Sequence, residues 1–187
     1  MDQPPRCNWV GSEPLYQQYH DKEWGTPSHD DTHLFEMLCL EGQQAGLSWI
    51  TVLRKREHYR KVFHRFNLKK VAAMSEDDID ALLQDAGIIR HRGKLSAIRD
   101  NAVAALALKK ECGSLDAYFW QWVEGKPLRR VPGAGVPAST ELSGKISKDL
   151  KKRGFRFVGA TTIYAFMQAV GMVDDHAGHC FRCGSKT

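Results

Sequence analysis

Ser75-Glu76-Asp77-Asp78-Ile79-Asp80-Ala81-Leu82-Leu83-Gln84-Asp85-Ala86-Gly87-Ile88-Ile89-Arg90-His91-Arg92-Gly93-Lys94 reads as a helix, a glycine-bearing turn and the start of a second helix. Ser75 and Asp78 have the spacing of a capping box, with aspartate in place of the longer glutamate. Ile79, Leu82 and Leu83 give the first helix an apolar face, and Gly87 is expected as its left-handed C-terminal cap. The second helix is expected from about Gly93 through Leu95, Ile98, Ala102 and Leu106. A glycine-containing turn that opens a helix offers backbone N–H groups and the positive end of a dipole to a phosphate. Arg90, His91, Arg92 and Lys94 would reinforce that attraction without reading bases. A single basic cluster is more often a solvated helix face, so the meaning of this one depends on the rest of the chain.

Helical patterning continues on both sides. Thr32 is expected to cap a helix carrying Leu34, Phe35, Leu38 and Glu41, broken by Gly42 and Gly46 before a run through Trp49, Ile50, Leu53, Val62 and Phe63. Ser114 would cap a short aromatic helix with Leu115, Tyr118, Phe119 and Trp122. Pro127 to Pro137, with Pro132, Gly133 and Gly135 inside, reads as loop. Ser139 or Thr140 starts a helix on Leu142, Ile146 and Leu150 that ends near Gly154, and Thr161 to Val170 forms a last one stopped by Gly171. Arg156-Phe157-Val158 is apolar and ambiguous. No strand–helix alternation occurs, so a parallel sheet is not expected and the fold class is all-α.

The 187 residues are 42% hydrophobic, enough to bury a core, and no apolar run approaches the roughly 20 residues a membrane span needs. Met1 to Arg6 lack the apolar stretch of a secretory signal, so the expectation is a soluble, cytoplasmic protein. A formal net charge of +5 points to an anionic partner, most simply nucleic acid. Two further basic clusters, Arg54-Lys55-Arg56 with Arg60-Lys61 and Lys151-Lys152-Arg153-Gly154, lean the same way.

Five scattered cysteines beside eight histidines suggest a metal site rather than a disulfide framework. Cys7 and His20 lie near one end of the chain, His176 and Cys180 near the other. A Cys₂His₂ set suits closed tetrahedral zinc, which staples rather than catalyses, and termini fray unless tied down. His179 and Cys183 offer two more donors, so spacing leaves the set open, with inert thiols and surface histidines as the plain alternative. Catalytic zinc motifs are missing: there is no His-Glu-x-x-His, and His20-Asp21-Lys22-Glu23 lacks the deaminase spacing. Finally, Glu41 falls on the same helix face as Leu34 and Leu38. A carboxyl there must be hydrogen-bonded, paired or poised for a ligand, and Trp9, Tyr16, Tyr19 and Trp49 are candidate aromatic neighbours.

Three stretches, Leu34 to Trp49 (LFEMLCLEGQQAGLSW), Asp85 to Lys94 (DAGIIRHRGK) and Lys151 to Gly159 (KKRGFRFVG), closely resemble the 3-methyladenine DNA glycosylase I family of bacteria, in the same order. The resemblance runs from Cys7 to Cys180. It implies an all-α helix-hairpin-helix fold in one domain over residues 1–187, with the motif at about 76–106. It further implies one structural zinc on Cys7, His20, His176 and Cys180, making His179 and Cys183 bystanders. The base pocket maps onto Glu41, Tyr19 and Trp49, with Trp9 and Tyr16 as further walls. The DNA grip maps onto Gly87, Arg90, His91, Arg92, Gly93 and Lys94, and Gly46 and Leu47 map onto the loop that probes the base stack. The implied activity is monofunctional excision of 3-methyladenine from alkylated double-stranded DNA by a monomer, releasing the free base and leaving an abasic site. Glu41 is the candidate catalytic group, first through recognition of the base, since the family carries no conventional aspartate base. A zinc-clamped lesion-binding module fits the zinc donors, the basic hairpin and the charge, but does not require Glu41, Tyr19 and Trp49 together. A glycosylase of the same fold for another methylated base is a second alternative, against which the full pocket set argues, and an RNA-binding protein fits the charge alone.

Overall fold

A computed structural model describes residues 4–130 and 135–184. Met1 to Gln3 and Pro132 and Gly133 of the expected loop lie outside the described residues. The order is α1 (Pro14–Lys22), α2 (Asp31–Gln43), α3 (Trp49–Val62), α4 (Leu68–Ala72), α5 (Glu76–Leu82), α6 (Arg92–Cys112), α7 (Leu115–Trp120), β1 (Leu128–Arg129), α8 (Glu141–Lys152), α9 (Ala160–Ala169) and β2 (Val173–Asp174). The chain is mostly helical, as the periodicity predicts. One departure is the two-residue parallel pairing of β1 with β2, Leu128 opposite Val173 and Arg129 opposite Asp174. It is too short to leave an alternating pattern in the sequence, and it pins the segment after α9 to the rest of the fold.

α2 is the central element. Every residue from Leu34 to Gln43 is buried, and the helix packs against α3, α6, α7 and α9. A helix enclosed on all sides explains why an acid in its last turn is also enclosed. Its cap is Asp30, whose carboxylate accepts the His33 N–H at 2.7 Å, and not Thr32. Gly42 does not break the helix, which continues to Gln43; Gly46, at φ +76°, makes the turn that follows. Thr140 starts α8 through a capping box with Ser143, and Ser114 caps α7 by accepting the Ala117 N–H. Gly154 and Gly171 take the left-handed conformations expected of helix stops, at φ +92° and +75°.

The helix, turn and helix of the opening stretch are α5, residues 83–91 and α6. Ser75 and Asp78 form the capping box, and Ile79 and Leu82 are buried. Gly87 is not a left-handed cap: α5 ends at Leu82, five residues earlier, and Gly87 has no positive φ. Glycine is required there by close approach, because a Cβ would stand 2.5 Å from the His58 ring, itself fixed by Asp85 at 2.7 Å. Gly87→Ala is therefore expected to cost about 1–3 kcal/mol of stability, an overpacking penalty. Urea unfolding would check this; His58→Ala should recover part of the loss, and an unchanged midpoint in Gly87→Ala would refute the clash.

The two ends of the described chain meet. The Phe181 N–H donates to the Pro5 carbonyl at 2.8 Å, the Ala177 N–H to the Cys7 sulfur at 3.3 Å, and His179 Nε2 approaches the Arg6 carbonyl at 2.9 Å. Their meeting place lies beside α1 and forms one wall of a cavity of functional interest.

Candidate active site

A cavity of about 470 Å³ opens between α1, the C-terminal end of α2, the first residue of α3, α9 and the joined ends of the chain. Tyr16 and Tyr19 reach it from the same face of α1, being one helical turn apart. Glu41 enters from α2 and Trp49 from the start of α3. Trp9 stands edge-on to Tyr16 at 4.9 Å and to Trp24 at 5.0 Å, while Tyr19 and Trp49 lie 5.5 Å apart at a tilt. The structure thus brings together all five residues that the sequence marks for a base pocket. Three of them share a lack. The Tyr19 hydroxyl and Trp49 Nε1 are buried with no hydrogen-bond partner, and the buried Glu41 carboxyl makes no hydrogen bond among the described residues. Buried polar groups without partners are rare in folded proteins, and three at one cavity are a site made for a ligand.

Burial pushes the Glu41 carboxyl up to about 8. The acid is consequently largely protonated at neutral pH until something cationic enters. Burial, aided by the nearby Glu41 and Glu23 carboxylates, also holds the Tyr19 phenol well above its ordinary value, so it is a neutral O–H. Behind Tyr19, the Arg56 guanidinium lies 5.8 Å from the ring centre and is paired with Glu23 at 2.6 Å.

Sequence reasoning missed part of the wall. Trp24, Gln44, Arg130, Gln168 and Asp175 also line the cavity. Asp175 is held rigidly: its carboxylate accepts the Tyr164 hydroxyl at 2.6 Å and the Gln168 amide at 2.8 Å, and Arg130 Nε lies 3.1 Å away. Trp24, one turn beyond His20, was legible as one more aromatic in a cluster. The other four arrive by tertiary packing and leave no local signal.

On the far side of Trp9, the Cys7 sulfur, His20 Nε2 and the Cys180 sulfur lie within 4.8 Å of one another, all buried. This group could hold a metal ion. His20 Nδ1 rests on Asp21 at 2.8 Å, which directs Nε2 at the thiols, 3.4 Å from the Cys180 sulfur. His176 lies just outside the group with the same arrangement: Nδ1 is on Asp174 at 2.8 Å, and Nε2 is buried without a partner. Its ring centre is 5.2 Å from that of His20. A carboxylate behind each imidazole fixes the ring and leaves Nε2 as the donor, the usual support of a metal-binding histidine. His179 is turned to the Arg6 carbonyl and Cys183 is exposed, so neither joins the group.

The basic surface is thinner than the sequence suggests. Arg54, Arg56 and Arg60 are paired with Glu13, Glu23 and Glu36, and Arg153 with Glu111 and Asp149. In the hairpin, Arg92 is bound to Asp80 and lies 3.6 Å from Glu76. Arg90 and His91 are exposed, and His91 caps α6 by accepting the Lys94 N–H at 3.1 Å. Gly93 lets the His91 ring fold close, since a Cβ there would stand 3.1 Å from it. Lys94 does not face outward at all; its ammonium is buried against α2. Gly46 and the 41% exposed Leu47 sit on the open turn between Glu41 and Trp49, two residues that line the cavity.

Residues 9–183 match the family model for methyladenine glycosylase. The chain is 57% identical to a DNA-3-methyladenine glycosylase of Haemophilus influenzae over 178 residues, covering 94% of this chain and 96% of the relative. It is 54% identical to DNA-3-methyladenine glycosylase 1 of Escherichia coli over 184 residues, covering 97% and 98%. Its fold superimposes with a TM-score of 0.94 on a structure of 3-methyladenine DNA glycosylase I from Staphylococcus aureus that describes 3-methyladenine recognition. The identity there is 37%, with 97% of this chain and 98% of that one covered.

Proposed function

The chain belongs to the methyladenine glycosylase family, and from that premise we propose that it hydrolyses the N-glycosidic bond of 3-methyladenine in alkylated duplex DNA, leaving an abasic site. The observation that carries this reading is the aromatic cavity holding three unpartnered polar groups, one of them an acid. Methylation at N3 makes adenine a cation within the nucleotide, so the base departs neutral when the bond to C1′ breaks and needs no general acid. What the protein must supply is selection, extrusion and orientation. Unstacking costs a few kcal/mol, least for a damaged base. A cationic ring against Trp49 gains on the order of 2 kcal/mol when desolvated. Glu41 gives up its proton to solvent as the cation enters and accepts from the adenine edge; the Tyr19 hydroxyl fixes the base in its plane. Water then takes C1′, and the proton it loses passes to solvent or to a nearby acceptor. No lysine lines the cavity among the described residues, and we read the enzyme as monofunctional.

On the DNA side, Arg90 and the N–H groups around Gly93 at the start of α6 take phosphate, with Gly87, His91 and Arg92 beside them, in a helix-hairpin-helix at about 76–106. Leu47 on the Gly46 turn acts as the apolar wedge. Zinc fits the buried donors Cys7, His20 and Cys180, with His176, whose buried Nε2 has no partner, as the fourth ligand. Two thiolates and two imidazoles would leave no position for water, so the ion would be structural, holding the chain ends that build one wall of the cavity. We read residues 1–187 as a single domain acting as a cytoplasmic monomer. No helix of the described residues is long and apolar enough to cross a membrane.

The test is chromatography of the bases released from dimethyl-sulfate-treated duplex DNA. Release of 3-methyladenine with 7-methylguanine retained is the expected result. A folded, metal-loaded protein that binds such DNA and releases nothing would overturn the enzyme in favour of a lesion-binding module.

A further inference from the structure

We infer that Lys94 is a positioning residue that couples the DNA-gripping hairpin to the base pocket, and that its ammonium does not bind phosphate. This inference rests on the glycosylase reading above. Lys94 lies in the first turn of α6, where the sequence places it among the phosphate-contacting cations, yet it is only 6% exposed. Its Nζ donates to the Gln43 carbonyl at 3.0 Å and to the Ala45 carbonyl at 2.5 Å. These are carbonyls at the C-terminal end of α2, where the dipole is negative and the helix has run out of backbone donors. The reverse bond is also present: the Gln43 side-chain amide donates to the Lys94 carbonyl at 2.9 Å. A third strand of the same network comes from α3. The Tyr59 hydroxyl donates to the Gln43 side-chain oxygen at 3.1 Å and accepts the Ile89 N–H at 3.1 Å.

Gln43 is thus clamped by Lys94 at the start of α6 and, through Tyr59, by Ile89 inside the hairpin. Two residues before Gln43 stands Glu41 in the pocket, and four residues after it stands the exposed Leu47 on the following turn. No other charged side chain among the described residues bonds directly to the turn that separates pocket and wedge. The hairpin can register the strand only if its distance from Glu41 and Leu47 is fixed, because a displacement of about 1 Å at the reacting atoms costs on the order of a hundredfold in rate. A buried ammonium on two carbonyls fixes it more firmly than neutral bonds would, since charge-assisted bonds are roughly twice as strong.

The test compares Lys94→Met, which keeps the volume and removes the donors, with wild type on the same alkylated duplex. Single-turnover excision should fall at least about tenfold. Binding of free 3-methyladenine, read from tryptophan fluorescence, should stay within about twofold, and so should the affinity for abasic duplex. The salt dependence of that affinity should keep its slope. A slope lower by about one charge would make Lys94 a phosphate contact and overturn the inference. So would excision at the wild-type rate, or free-base binding that falls in step with excision, which would mean that Lys94 merely holds the pocket open. If Lys94→Met fails to fold, Tyr59→Phe carries the same comparison, because it cuts the bonds to Gln43 and Ile89 and leaves the ammonium in place. A wild-type protein that releases no 3-methyladenine would instead overturn the glycosylase reading, and the coupling with it.

Discussion

Glu41→Gln is expected to make the protein more stable and to remove its activity, and the two effects should separate with pH. The acid is buried and its carboxyl is raised by burial to about 8, from an ordinary value of 4.5. Between those two values the folded state holds a proton that the unfolded state has released. Stability therefore falls as pH rises through that window, and above it the full cost of a buried charge is present. At neutral pH the cost is on the order of 3 kcal/mol, rising further by about pH 8. Glutamine is neutral in both states and avoids it. Its amide replaces a protonated carboxyl that also lacks partners, so the variant should match wild type at about pH 4, below the window, and exceed it increasingly toward about pH 8. For a chain of this size each kcal/mol shifts the melting temperature by about 2–4 °C, so the difference is readily measured. Excision should move the other way, by a hundredfold or more on the scale typical of a lost electrostatic contact. In wild type, kcat/KM on the cationic lesion should rise with pH toward a plateau above about 8, and Glu41→Gln should flatten that limb. A variant as active as wild type, or one destabilised at every pH, would remove Glu41 from its role as the counter-charge to the base.

That prediction also marks how far the residues could be read without coordinates. The helices follow from periodicity and caps because those signals are local: Ser75 with Asp78, Thr140 with Ser143, and Gly154 and Gly171 as stops all behave as their positions dictate. Thr32 misleads because Asp30, two residues earlier, competes for the same cap and wins. Gly87 misleads because its glycine answers to His58, twenty-nine residues away, and no local rule contains that contact. The same divide runs through the site. Glu41 stands out as an acid on an apolar face, and the aromatic residues cluster in sequence near it. Asp175 and Arg130 reach the cavity through the pairing of β1 with β2, and Gln168 through the packing of α9 on α2, so they are invisible beforehand. Lys94 is the sharpest case. A lysine after Arg-His-Arg-Gly looks like part of a phosphate grip, and packing turns its ammonium inward to α2.

Cys180→Ser is expected to lose the metal and to cost on the order of 4 kcal/mol or more, the range in which loss of a structural ion belongs. The reason lies in how little else ties the ends of the chain together. The Phe181 N–H to Pro5 and the contact of His179 with the Arg6 carbonyl are bonds at or near the surface, each worth about 1 kcal/mol. Cys180 itself is buried beside Cys7 and His20, so a bare serine there leaves a polar group, two donors and no ion to satisfy them. The effect should reach the cavity, because Cys7, Trp9, Asp175 and Ala177 line it from these same ends. Free 3-methyladenine should accordingly bind more weakly to Cys180→Ser, and to wild type treated with a strong chelator. Added zinc should restore the chelated wild type and leave the variant unchanged. Cys112→Ser, half-buried on α6 and absent from the cluster, is the control and should keep one zinc per chain with wild-type melting. Metal content by atomic emission and melting by circular dichroism together decide the matter. If Cys180→Ser melts with wild type and carries no zinc, the clamp is dispensable and the ends of the chain hold by packing alone. If it keeps a full equivalent of zinc, then Cys183 or His179 has taken a place among the ligands.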